Sequence, residues 1–94
     1  MPTTYDGTTT TVAASSSPQT LTVANDMRGG LIISNSSTMT LYVLVGQGTV
    51  STSFYSYAVP TQKSLEVPFT YVGAVSGIWP ANVADGGANV TVLV

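Results

Sequence analysis

Chemistry needs a side chain that can move a proton, attack an electrophile or hold a metal, and this chain has few of any kind. Its 94 residues include no His and no Cys. The imidazole base, the thiolate nucleophile and the usual soft metal ligands are therefore missing. The cations are Arg28 and Lys63, and the anions are Asp6, Asp26, Glu66 and Asp85. A Ser nucleophile would need lysine as its base, but Lys63 and its neighbour Ser64 would point to opposite faces of a strand. A glycosidase needs two carboxyl groups within roughly 5–10 Å. Asp6 falls in a Thr-rich tail, Asp26 and Asp85 sit in turn-forming sequence, and Glu66 reads as a solvated charge on an edge strand. Asp85-Gly86-Gly87 lacks the spaced acids of a Ca²⁺ loop. Gly46-Gln47-Gly48 is too short for a phosphate loop, and no helical pattern follows it. The expectation is a protein with no catalytic residue, no metal and no cofactor, and not an enzyme.

Binding is the remaining option. Phe54, Tyr55 and Tyr57 cluster among serines, and Trp79 is the sole Trp. Such residues in a small β domain serve most often as core or interface anchors, and less often as stacking platforms for sugar. Two segments, Asn35-Ser36-Ser37 and Asn89-Val90-Thr91, match the N-glycosylation pattern, to which no function is attached without a secretory signal.

Composition limits the partners. Only 6% of residues are charged, and the net charge is −2, so no basic patch for nucleic acid can be assembled. No apolar run approaches the ~20 residues of a spanning helix. Residues 1–17 have no cationic n-region or apolar h-region. The expected setting is folding in a cytoplasm, with no signal peptide. Thr and Ser carry the polarity instead, at 26 positions together. A monomer usually keeps a charged coat, so a coat this sparse points to a surface covered by neighbours.

The elements that position these residues read as strands. Residues 1–17 form a Thr/Ser-rich N-terminal arm, flexible or bound to a partner, in which Tyr5 and Val12 have apolar surface to offer. The domain proper spans 18–94. Gln19 to Val23 alternates, with Leu21 and Val23 facing inward. Leu31 to Ser34 and Thr40 to Val45 read as a hairpin across a polar loop, and the second run, apolar on both faces, reads as covered on both sides. Residues 49–59 show no clean period. Lys63 to Phe69 is a strand that Pro68 confines to an edge. Tyr71 to Trp79 is another, with Gly73 and Gly77 as bulge positions, and Asn89 to Val94 closes the chain with a valine ladder. No window carries helical periodicity. The fold expected is all-β: a single small antiparallel β-sandwich or barrel of about 6–8 strands with an extended N-terminal arm.

The order of these pieces resembles a group of small β-rich structural proteins of bacteriophage virions. The pieces are Arg28, then Leu31-Ile32-Ile33-Ser34-Asn35-Ser36, Leu41-Tyr42-Val43 and Ser51-Thr52-Ser53. Ser64-Leu65-Glu66-Val67-Pro68, Tyr71-Val72-Gly73-Ala74-Val75 and Val90-Thr91-Val92-Leu93 follow. The stretch that holds them, Arg28 to Val94, covers about two-thirds of the chain, and only their order is informative. Pro60-Thr61-Gln62-Lys63 stands where a Gly-rich turn would be expected. The resemblance implies a homo-oligomeric capsid decoration (cement) protein, or else a neck, tail or fibre component, residing in the virion. Its implied partners are copies of itself, by preference as a trimer, and a major capsid protein or other virion protein. A carbohydrate-binding module using the exposed aromatics is the alternative. The interface residues expected are Tyr5, Val12, Arg28, Phe54, Tyr55, Tyr57 and Trp79. Arg28 is assigned either to an ion pair with the next chain or to a plain surface position.

Overall fold

The computed structural model describes residues 7–25, 28–67, 71–81 and 86–93. They form eight strands: β1 (Gly7–Ala13), β2 (Gln19–Thr22), β3 (Gly30–Asn35), β4 (Leu41–Val45), β5 (Tyr57–Val59), β6 (Ser64–Val67), β7 (Val75–Ile78) and β8 (Gly87–Leu93). No helix occurs among the described residues. Two four-stranded antiparallel sheets result, one in the order β1-β8-β3-β6 and the other β2-β7-β4-β5.

Strand one pairs with strand eight, two with seven, three with six, and four with five. The chain is thus one long antiparallel ribbon, turned at its middle and coiled so that β8 meets β3 and β7 meets β4. Eight strands wound this way into two sheets make a jelly roll. The first and last described residues, Gly7 and Leu93, are Cα partners.

Alternation explains the core. Residues paired across antiparallel strands share a face. The inner face of the first sheet carries Leu31, Ile33, Val67, Ala88 and Val90, and the inner face of the second carries Leu41, Val43, Val59 and Val75. Leu21 and Trp79 complete this cluster. Gly77 is small because Leu21 and Leu41 lie over it: an added Cβ would come within 2.9 Å of the Leu41 Cδ1.

The Leu41–Val45 run is covered on both sides, as its two apolar faces require. Val43 faces the main core, while Leu44 packs with Ile78 and Val50 on the outer face. Val50 comes from the loop 46–56, which folds back over the sheet.

Four expectations need correcting. Leu31–Ser34 and Thr40–Val45 are not a hairpin: β3 and β4 lie in different sheets. A short polar connection allows a turn and a sheet crossing equally. Val23 does not face inward; it is 68% exposed, because the register slips between Thr20 and Thr22 and β2 ends there. Tyr71 to Trp79 is not one strand, since β7 begins only at Val75. Gly7–Ala13, inside the expected arm, is a strand of the sandwich, paired along its whole length with β8. The valine ladder 82 positions away gives this Thr-rich segment a partner that local sequence does not reveal. β6 is the edge strand expected, though Pro68 and Phe69 lie outside the described residues.

Candidate functional site

Three surfaces and one buried network carry the chemistry. The loop 46–56 comes first. Gly46 and Gly48 adopt positive φ (135° and 119°), turning the chain back after β4. Val50 is buried against Leu44 and Ile78 and anchors the loop. Ser51 and Phe54 exchange backbone hydrogen bonds of 2.9 and 3.2 Å, closing a tight turn. Ser56 N–H donates to the Val43 carbonyl at 2.7 Å, tying the loop's end to β4. The anchored loop presents Phe54, 53% exposed, and Tyr55, 43% exposed; Tyr57 follows on β5 at 47%. Tyr55 meets Tyr42 with ring centroids 4.8 Å apart and planes tilted by 58°, an attractive aromatic geometry.

The outer face of the first sheet is the second surface. Register places Thr9, Thr91, Ile32 and Glu66 in one row across the sheet, and Thr11, Asn89, Ser34 and Ser64 in the next. The polar neighbours bond across strands. Thr9 and Thr91 hydroxyls are 2.9 Å apart, Thr11 Oγ1 donates to Asn89 Oδ1 at 3.1 Å, and Ser34 and Ser64 hydroxyls are 2.9 Å apart. A shallow depression of about 340 Å³ lies beside them, between Leu93, Ile32 and Glu66.

A cleft of about 630 Å³ forms the third, between the Gly46–Gly48 turn, Thr20 and Ser76, and Tyr71. Its lining is uncharged. Among the described residues no three His, Cys, Asp or Glu side chains gather into a metal-binding group. Among the described residues no helix is long and apolar enough to cross a membrane.

The sequence-nominated residues do not converge on one site. Tyr5 lies outside the described residues. Val12 is half-buried against the main core. Trp79 is fully buried, its N–H donating to Asn35 Oδ1 at 3.4 Å. Arg28 is 4% exposed. Its guanidinium donates to the carbonyls of Val23 (3.3 Å), Tyr71 (2.9 Å) and Gly73 (2.8 Å), and lies 5.9 Å from the Tyr71 ring centroid. Arg28 thus clamps the segment after β2 to the segment before β7, using the planar fork that only arginine has. Phe54, Tyr55 and Tyr57 are the nominated residues at the surface.

Sequence reading missed Asn35 and Ser37, seeing only a glycosylation pattern. Both are buried. Asn35 Nδ2 donates to the carbonyls of Met39 (2.7 Å) and Val59 (2.9 Å), and Oδ1 accepts from Ser37 N–H (3.1 Å) and Ser37 Oγ–H (2.7 Å). Thr61 Oγ1 closes the group by donating to the Ser37 carbonyl. The one legible signal was an Asn ending an apolar strand at a position whose alternation points inward.

Compared with protein-family models, with curated proteins and with solved structures, the chain matches none, so its fold and its surfaces stand as the basis for its function.

Proposed function

We propose that this chain is a non-enzymatic structural module of a bacteriophage virion, working as a homo-oligomer that decorates and stabilises the capsid shell. The carrying observation is the nature of its exterior. Of the three charged side chains among the described residues, Arg28 is buried, which leaves Lys63 and Glu66, both beside β6, as exposed charges. The remaining described surface is hydroxyl, amide, aliphatic and aromatic. Such a surface suits permanent contact with neighbours better than a life in dilute solution. The ordered sequence pieces from Arg28 to Val94 support the virion assignment. The jelly roll adds nothing by itself, because folds of this kind host unrelated functions.

Co-sedimentation with empty capsids tests the reading, together with copy-number counting in purified virions. Binding, at hundreds of copies per particle, is the expected result. About six or twelve copies would move the protein to the neck or tail. A chain that ignores capsids and is missing from virions would end the proposal.

The tilted Tyr42–Tyr55 pair beside exposed Phe54 favours a second reading, carbohydrate binding at a fibre tip. A glycan array with Tyr55→Ala as control decides it, and silence across the array removes it.

A further inference from the structure

The four sheet edges are not equally protected. β5 has three residues and runs into Pro60. β2 has four, follows Pro18 and carries a register slip. β6 has four, with Lys63 before it and Glu66 within it. Shortness, proline, irregularity and charge are the devices that keep an edge from pairing. β1 has none of them within its length, and only the charge of Asp6 directly precedes it. It runs seven residues, Gly-Thr-Thr-Thr-Thr-Val-Ala, in unbroken register with β8, without charge or proline. Apart from half-buried Val12, its side chains are exposed on both faces, so it buries little in return for being ordered.

Its free edge can be assigned. Ala14 N–H donates to the Gly86 carbonyl at 3.3 Å. Antiparallel alternation from that bond aims the N–H and C=O groups of Thr8, Thr10 and Val12 at β8. Those of Gly7, Thr9, Thr11 and Ala13 therefore point outward.

We propose that β1 pairs antiparallel with β1 of a second copy of this chain, joining two four-stranded sheets into one of eight across a two-fold axis at Thr10. The sequence is nearly symmetric about that residue. Thr9 would face Thr11 of the second copy, Thr8 would face Val12, and Gly7 would face Ala13. Each pairing matches shape and brings no like charges together, as a self-complementary two-fold contact requires. The outward groups of Gly7, Thr9, Thr11 and Ala13 meet their counterparts as hydrogen-bonded pairs. The hydroxyl rows carrying Thr9 and Thr11 continue across the joint. This contact rests on the homo-oligomer reading above and gives it a location.

The test is sedimentation equilibrium of the full chain at rising concentration, with circular dichroism to verify folding. The wild type is expected to dimerise. Thr11→Pro removes only an outward N–H, a position where an edge strand tolerates proline, and should weaken dimerisation at least about tenfold. The double variant Thr9→Lys with Thr11→Lys sets like charges against each other at the joint. It should dissociate the dimer in low salt and restore it partly in high salt, which keeps the question open to decision if the proline variant does not fold. The chain has no cysteine, so Thr10→Cys gives one thiol. Across the axis it forms a non-hydrogen-bonded pair, with Cα atoms about 4.5 Å apart, and should cross-link under mild oxidation. A dimer indifferent to both edge variants and not cross-linked at Thr10 overturns the β1 contact while leaving homo-oligomerisation standing. A monomer that still binds capsids also overturns it, and leaves the decoration role intact.

Discussion

Asn35 receives or donates four hydrogen bonds at its amide besides the one from Trp79, and its partners Ser37, Val59 and Trp79 are buried while Met39 is half-buried. Among the described residues no buried side-chain polar atom lacks a partner. Removing this amide would strand several at once. Asn35→Ala is expected to destabilise the fold by about 2–4 kcal/mol, since each orphaned buried group costs about 1–3; urea unfolding with an unchanged m-value checks it. A loss below about 1 kcal/mol would mean that solvent takes over the amide's role. A second residue carries local strain. Gln62 holds φ at 64° in the turn closed by Lys63 N–H donating to the Pro60 carbonyl at 3.2 Å. That conformation is easy for glycine and costly for glutamine. Gln62→Gly should therefore raise stability by roughly 0.5–1 kcal/mol, and a decrease on the same assay would contradict this.

Among the elements, what could be read in advance followed from the apolar pattern and from one proline. The all-β class, the inward set Val90 and Val92, and the double coverage of Leu41–Val45 follow from which positions are apolar, and the edge position of β6 from Pro68. What could not be read was which strand neighbours which. β3 and β4 look like a hairpin because nothing in Ser36-Ser37-Thr38 distinguishes a turn from a crossing. β1 looks like a tail because a run of threonines has no apolar stripe until β8 supplies its ladder. Val50 looked unremarkable because a lone apolar residue in a Ser/Thr loop gives no period to detect. Of the surface, the aromatic loop was visible as composition, whereas the burial of Arg28 depends on carbonyls at Tyr71 and Gly73, more than forty positions away. Two predictions belong here. Val50→Ala should release the loop 46–56 and cost about 1–2.5 kcal/mol. Hydrogen exchange would rise at Ser51 and Phe54 while β3 and β8 stay protected, and uniform loss of protection would refute the loop's independence. Gly87→Ala places a Cβ on the Val12 carbonyl oxygen and against Ala13. It should loosen the end of β1 from β8, costing roughly 2–4 kcal/mol as a strained backbone contact.

For the whole molecule, the winding of the ribbon sets the kinetics. Strand one waits for strand eight, and strand two for strand seven, so most native contacts join residues distant in sequence. Domains of this kind refold on a timescale of about milliseconds to seconds. Fully buried Trp79 provides an intrinsic fluorescence reporter, and a microsecond phase carrying the full amplitude would contradict a folding route limited by distant pairing. The same winding brings the first and last described residues together, with Gly7 beside Leu93. A passenger peptide joined next to Gly7 or next to Leu93 would leave the domain from one spot. The module could also be spliced as a unit into an exposed loop of another protein, with both junctions side by side and little stretching of the host backbone.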